Sequence, residues 1–295
     1  MTGRRRLVRV PASSANLGPG YDVLAAAISL HLELEVAETG QFEVEAGGEP
    51  VPGDRSNLCV RAFESLHPAD GLRFEIRTEI PLARGLGSSA AAIVAGLMAA
   101  DHLFELALDR DEVYARAVGL EGHPDNVGAA LYGGFVLCPQ VLDGQPPPRT
   151  ARLEPPEGVE GLLVVPDEQV PTERARAAMP SSVPVGDAVA NVAAASQLVL
   201  GVERSDLTLI AQGLADRLHQ PHRAHLYPRS MELLAEAREL GAIGATVSGA
   251  GPALLFWCFW QDTGKVMEAL RGRVADWAQV RRAPFTPLGA DVPEL

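Results

Sequence analysis

The chain has 295 residues, 47% of them hydrophobic and 21% charged, enough apolar material for a core in each of two domains and too much for a disordered chain. A formal charge of −13 excludes a partner held by phosphate-backbone electrostatics, so no nucleic acid is expected. Arg4 to Arg6 lead into no apolar signal core, and the apolar stretches around Ala90–Ala100 and Ala253–Trp260 are too short or too alanine-rich to span a bilayer; a cytoplasmic protein with no membrane partner is expected.

In chain order, apolar residues alternate from Leu7 to Val10 and from Leu30 to Val36, which predicts half-buried strands, and Phe42 to Glu45 continues that sheet. Asn57 to Leu66 reads as helix, Leu72 to Arg77 as strand, and Ser88 to Phe104 as a small-residue helix after a glycine-rich turn. Helices at Asp111 to Leu120 and Asn126 to Leu131 lead through Gly133-Gly134 into a strand, Phe135 to Cys138. Asp143 to Pro148 is the densest turn-forming stretch and is expected as a surface loop before the domain junction. The pattern then restarts with a strand at Gly161 to Val165 and helices at Thr172 to Ala178, Val185 to Leu200, Leu207 to Leu218 and Ser230 to Leu240, the last ended by Gly241. Ala245 to Ser248 and Ala253 to Phe259 read as strands joined by a glycine turn, followed by a helix from Gly264 to Leu270 and a strand near Val280. Two α+β blocks result, divided as residues 1–155 and 156–295.

Three widely spaced cysteines, Cys59, Cys138 and Cys258, have no zinc-ligand spacing and are expected as free thiols. Lys265 is the single lysine among 25 basic residues, and its context, Gly264-Lys265-Val266, is neither a P-loop nor a protein-kinase strand. Any phosphate site must therefore use backbone amides, hydroxyls, arginine and metal. The segment Pro81-Leu82-Ala83-Arg84-Gly85-Leu86-Gly87-Ser88-Ser89-Ala90-Ala91 supplies that chemistry: glycines admit an anion close to the backbone, and the helix start offers unpaired N–H groups and the positive dipole end.

This string resembles the second motif of the GHMP small-molecule kinase superfamily. Val10-Pro-Ala-Ser-Ser-Ala-Asn-Leu-Gly-Pro-Gly-Tyr-Asp22 is similar to the first motif and Val247-Ser-Gly-Ala-Gly-Pro-Ala253 to the third, and the three stand in the family's order. Glu121-Gly-His-Pro-Asp-Asn-Val127 with Gly133-Gly-Phe135, Thr172-Glu-Arg-Ala-Arg176 and His219-Gln-Pro-His-Arg223 resemble segments of the bacterial homoserine kinase branch.

The resemblance implies a two-domain α+β fold, an N-terminal ATP-binding domain with a left-handed β-α-β unit and a C-terminal ferredoxin-like domain. It implies ATP and Mg²⁺, the amino acid L-homoserine as small-molecule substrate, and a homodimer. Pro81, Arg84, Gly85, Leu86, Gly87, Ser88, Ser89, Ala90 and Ala91, with Ser248 and Gly249, match the phosphate-binding positions, and Asn57 matches the residue beside the adenine. Ser89 and Glu121 match a Mg²⁺ pair, which suits a cation that prefers a few hard oxygens. Arg176 and Arg223 match carboxylate-binding arginines, Asp22 the acceptor of the substrate ammonium, and Asn16, His123 and Asn126 its polar surroundings. For the hydroxyl proton two readings stay open: Asp125 as general base, or Asn126 orienting the hydroxyl while phosphate oxygens or solvent take the proton. Where relatives often carry a lysine before the phosphate loop, this chain has Arg77-Thr78-Glu79. Another GHMP kinase acting on a different small alcohol, of the mevalonate or shikimate type, and a non-catalytic protein of this fold are the competing readings.

Overall fold

The computed structural model describes residues 3–47, 51–140 and 149–293, and two sheets organise them. In the first, β1 (Arg5–Ala15) pairs antiparallel with β2 (Leu24–Glu38) along most of its length. β3 (Glu43–Gly47), α1 (Leu58–Glu64) and β4 (Leu72–Thr78) form a β-α-β unit whose strands are parallel neighbours. After α2 (Ser88–Phe104), α3 (Arg110–Glu121) and α4 (Asp125–Tyr132) the sheet is completed by β5 (Phe135–Leu137) and β6 (Ala151–Leu153). The other edge of β2 is shared: Leu32–Glu38 pair with β4, and Leu24–Ala26 with β5.

β1 runs five residues past the predicted end at Val10. A register shift falls between Pro11 and Ala12, where a residue without a backbone donor cannot continue the ladder, and pairing resumes from Ala12 to Ala15. Beyond the shift every side chain is small and buried, so no alternation marks the strand, and this stretch carries Ser13 and Ser14 toward the glycine-rich turns. α2 is buried on nearly every side between α1, α3 and the sheet, which is why its apolar residues have no periodic stripe.

The second block begins with β7 (Val159–Pro166), α5 (Thr172–Ala177), α6 (Val185–Arg204), α7 (Leu207–Gly213), α8 (Gln220–Arg223) and α9 (Pro228–Ala235). It closes with β8 (Gly244–Val247), β9 (Leu254–Phe259), α10 (Thr263–Val274) and β10 (Ala278–Arg282). Its sheet is antiparallel in the order β10-β7-β9-β8, the ferredoxin-like arrangement. β9 reads as an unbroken apolar run because both its faces are covered. Leu254, Phe256 and Cys258 enter the core of the second block, and Leu255 and Trp257 the core shared with the first. After β10 the chain returns to the first sheet: Phe285 bridges to Ile28 and packs its ring, tilted, against Phe135 and Trp257 at ring distances of 4.8 and 5.0 Å, and Asp291 bridges to Arg9.

Two predicted helices end early. The one begun at Leu207 stops at Gly213, because the Asp216 carboxylate accepts from the backbone N–H groups of Leu218, His219 and Gln220 at 2.8, 3.0 and 2.6 Å and starts the short α8. The one expected to reach Leu240 ends at Ala235 and continues as hydrogen-bonded turns to Gly241. The Asp143 to Pro148 loop lies outside the described residues. All three cysteines are buried free thiols, and burial pushes each up to about 12. Among the described residues α6 alone has the length and apolarity of a bilayer span, with a mean hydropathy of 1.4; it packs Asn191, Ala194, Leu198, Gly201 and Val202 into the protein.

Candidate active site

The three glycine-rich segments, more than 200 residues apart at their extremes, meet through backbone hydrogen bonds. Ser13 N donates to Leu86 O at 3.2 Å and Gly249 N to Ala15 O at 3.0 Å, so the strand end of β1 lies between the other two turns. Ser248 Oγ contacts Gly85 O at 2.7 Å and Ser14 Oγ at 2.8 Å. Gly85 and Gly87 both have positive φ, 75° and 68°. A Cβ on Gly85 would overlap Ser248 O, and one on Gly87 would overlap Ser13 Oγ, so the turns interlock only as glycines. Gly87 is the N-cap of α2, whose first residues, Ser88 and Ser89, open onto a cleft with their hydroxyls and unpaired amides.

One wall of that cleft is carboxylate-rich. Ser89 Oγ donates to Glu121 Oε1 at 2.5 Å across the start of α2 and the end of α3. His123 stands between two acids, its Nε2 3.7 Å from Glu121 Oε1 and its Nδ1 3.4 Å from Asp125 Oδ1. The Nδ1 contact lacks hydrogen-bond alignment, so it becomes an ion pair only when the imidazole is protonated. Asp125, with Glu121 beyond, pushes His123 above its ordinary pKa against the effect of burial, while burial pushes Glu121 up and its bond from Ser89 works against that. Asp125 is 2% exposed, and its Oδ1 also accepts from Asn126 N at 2.8 Å. Asn126 Oδ1 in turn accepts from Ser13 Oγ at 2.8 Å.

The opposite end is built from paired charges. Arg176 on α5 grips Asp22 with both nitrogens, Nη1 to Oδ2 at 3.0 Å and Nη2 to Oδ1 at 2.8 Å, and Nη1 also donates to Tyr21 Oη at 3.2 Å. Asn16 bridges two turns: its Nδ2 donates to Gly249 O at 2.7 Å, and its Oδ1 accepts from Asp22 N at 3.0 Å. Asn16 and Asp22 both hold left-handed φ, 70° and 55°, a conformation these two residue types tolerate better than most. Arg223 is 2% exposed beneath the Tyr21 ring. It donates through Nε to Ala175 O at 3.0 Å and through Nη1 to Gly249 O and His219 Nδ1 at 3.3 and 3.2 Å, and its Nη2 has no hydrogen-bond partner among the described residues. Accepting at Nδ1, His219 carries its proton on Nε2, which meets Gly18 O at 2.8 Å; burial lowers its pKa to about 4.

Fourteen of the sequence-predicted residues line this cleft: Asn16, Asp22, Gly85, Leu86, Gly87, Ser88, Ser89, Glu121, His123, Asp125, Asn126, Arg176, Arg223 and Gly249. Six stand outside its lining. Pro81, Ala90 and Ala91 are buried behind it, and Ser248 is spent on the turns. Arg84 donates to Pro166 O, Leu82 O and Asp167 O, which directs its guanidinium toward the end of β7. Asn57 caps α1, accepting from Cys59 N at 2.9 Å and donating to Pro52 O at 2.8 Å. Tyr21 and Thr172 line the cleft and were not singled out, although each sits inside a motif that was. Ser13, within the first motif, had no signal of its own, since a buried serine in a strand looks like any other.

Two family descriptions match the chain, GHMP kinases N terminal domain over residues 57–134 and GHMP kinases C terminal over residues 198–275. Over 266 residues, covering 88% of this chain and 89% of the relative, it is 43% identical to a homoserine kinase of Thermus thermophilus. The crystal structure of homoserine kinase from Cytophaga hutchinsonii superposes with a TM-score of 0.86 at 27% identity, over 98% of this chain and 97% of that one. A putative homoserine kinase from Listeria monocytogenes superposes with a TM-score of 0.82 at 30% identity, over 99% and 100%.

Proposed function

The chain belongs to the homoserine kinase family of GHMP kinases, and on that premise we propose that the cleft transfers the γ-phosphoryl group of ATP to the side-chain hydroxyl of L-homoserine, giving O-phospho-L-homoserine for threonine biosynthesis. The observation that carries this reading is the Asp22–Arg176 pair with Arg223, set in the same cleft as the start of α2. An α-amino acid brings one charge of each sign. Its ammonium suits Asp22 and its carboxylate suits Arg176 and Nη2 of Arg223, which has no partner among the described residues, so binding exchanges one internal ion pair for two external ones.

Gly85, Gly87, Ser88 and Ser89 hold the β- and γ-phosphates through amides, hydroxyls and the dipole of α2. Ser89 and Glu121 supply the hydroxyl and carboxylate oxygens that fit Mg²⁺, whose charge, when bound, offsets that of the transferring phosphoryl group. The hydroxyl oxygen of homoserine bonds to Pγ as the Pγ–O bond to the β-phosphate breaks, and ADP leaves. Asn126 orients the hydroxyl. Asp125 is engaged by His123 and the Asn126 amide, which favours a supporting role, with the hydroxyl proton passing to a γ-phosphate oxygen or solvent.

The same reading carries a cytoplasmic homodimer and a division at residues 155/156. Each sheet draws its strands from one side of that division. Val185, Val189 and Val192 on α6 are 81, 64 and 67% exposed, an apolar stripe where two copies can meet without like charges in direct contact; sedimentation of wild type and Val189→Glu tests this. The activity is tested by ADP release with L-homoserine, mevalonate, phosphomevalonate and shikimate. Release should follow L-homoserine, and turnover confined to an alcohol without an amino group would overturn the assignment.

A further inference from the structure

If Asn126 orients the attacking hydroxyl, something must hold Asn126, and we propose, resting on that reading, that Ser13 is the positioning residue that anchors the Asn126 side chain beside the phosphate turn. Ser13 is fully buried near the end of β1, and its hydroxyl meets Asn126 Oδ1 at 2.8 Å, a contact between residues 113 apart in sequence. The Asn126 backbone is held separately, through its N–H to Asp125 Oδ1, so the Ser13 contact acts on the side chain alone.

The surroundings are shaped around this contact. A Cβ on Gly87 would overlap Ser13 Oγ and stand 3.0 Å from Asn126 Oδ1, so the phosphate turn has no side chain at the point where one would push the pair apart. The Ser13 amide also donates to Leu86 O, which ties one residue to the phosphate turn by its backbone and to Asn126 by its side chain. With Oδ1 bonded to the Ser13 hydroxyl, Nδ2 and its two N–H donors are left for the cleft that Asn126 lines. Donors suit a nucleophilic hydroxyl oxygen or a γ-phosphate oxygen. An amide free to turn over would present its carbonyl, which repels a γ-phosphate oxygen and gives the substrate hydroxyl an acceptor in place of a donor. Ser13 thus acts on the reaction without touching substrate.

The test is a double-mutant cycle on the full chain. Ser13→Ala should lower kcat by about 10–100-fold, counted per ATP-binding site, and leave KM for ATP and L-homoserine within about threefold; counting sites separates this from a loss of folded protein, which also lowers apparent kcat at unchanged KM. Added to Asn126→Ala, it should cost less than about twofold more, because its effect passes through a side chain already gone. Ser13→Cys, which keeps the volume with a weaker donor, should fall between wild type and Ser13→Ala, and it serves as the second variant if Ser13→Ala does not fold. A wild-type kcat in Ser13→Ala, or losses that multiply in the double variant, would reduce Ser13 to a buried structural serine. Wild-type enzyme that fails to phosphorylate homoserine would instead remove the functional reading itself.

Discussion

The two ends of the cleft are made of different material. At the phosphate end, glycines, serines and backbone amides from three turns lock against one another, and no lysine takes part. At the amino-acid end, charged side chains neutralise each other: Arg176 holds Asp22, and Arg223 rests on carbonyls and His219. The first end is rigid because its parts are backbone and have nowhere to move. The second is held by contacts that a ligand of matching charge can replace. A site for a triphosphate can be fixed in advance, whereas a site for a zwitterion has to keep its own charges satisfied until the ligand arrives.

The sharpest way to break this contrast is to put a methyl group into the rigid end. Gly85→Ala must overlap the Ser248 carbonyl and adopt φ near 75°, and we expect turnover to fall at least about a thousandfold, read in a steady-state ADP assay together with the melting temperature. At the exchangeable end, Arg223→Ala should raise KM for L-homoserine by about 2–4 kcal/mol equivalents, with KM for ATP much less affected. Homoserine kinetics left unaltered would take Arg223 out of the site.

His219 gives a pH-dependent version of the same comparison. Its folded pKa, near 4, lies below the ordinary 6.5, so an unfolded chain binds a proton that the fold refuses. Its effect on stability is therefore nil above pH 6.5, and stability drops by up to about 1.4 kcal/mol for each unit as pH falls from there toward 4. Urea midpoints should trace that fall, and His219→Gln should flatten it. The smallest expected effect is at Asp125: with its carboxylate engaged by His123 and Asn126, Asp125→Asn should cost less than about tenfold in kcat, and a loss of several orders of magnitude would restore it as general base.

What could be read from sequence follows the same division. The phosphate turn and the bounds of α2 were legible residue by residue, because glycine spacing and a helix start are local. Asp22 and Arg176 were each recognisable, but their mutual grip was not, since 154 residues separate them and each is expected to wait for the substrate. The strand end at Ser13 was hidden because Pro11 interrupts the register and no periodicity resumes. Asp216 looked like part of a continuing helix, and its three accepted N–H bonds mark a new start that only the folded backbone reveals. Asn57 was assigned from resemblance to the nucleotide, and its amide is occupied in capping α1.

The return of the chain after β10 has a consequence for biosynthesis. Ile28 meets Phe285 and Arg9 meets Asp291, so β1 and β2 find some of their final neighbours among residues made long after them. The first sheet must wait, partly uncovered, until that returning segment has been made.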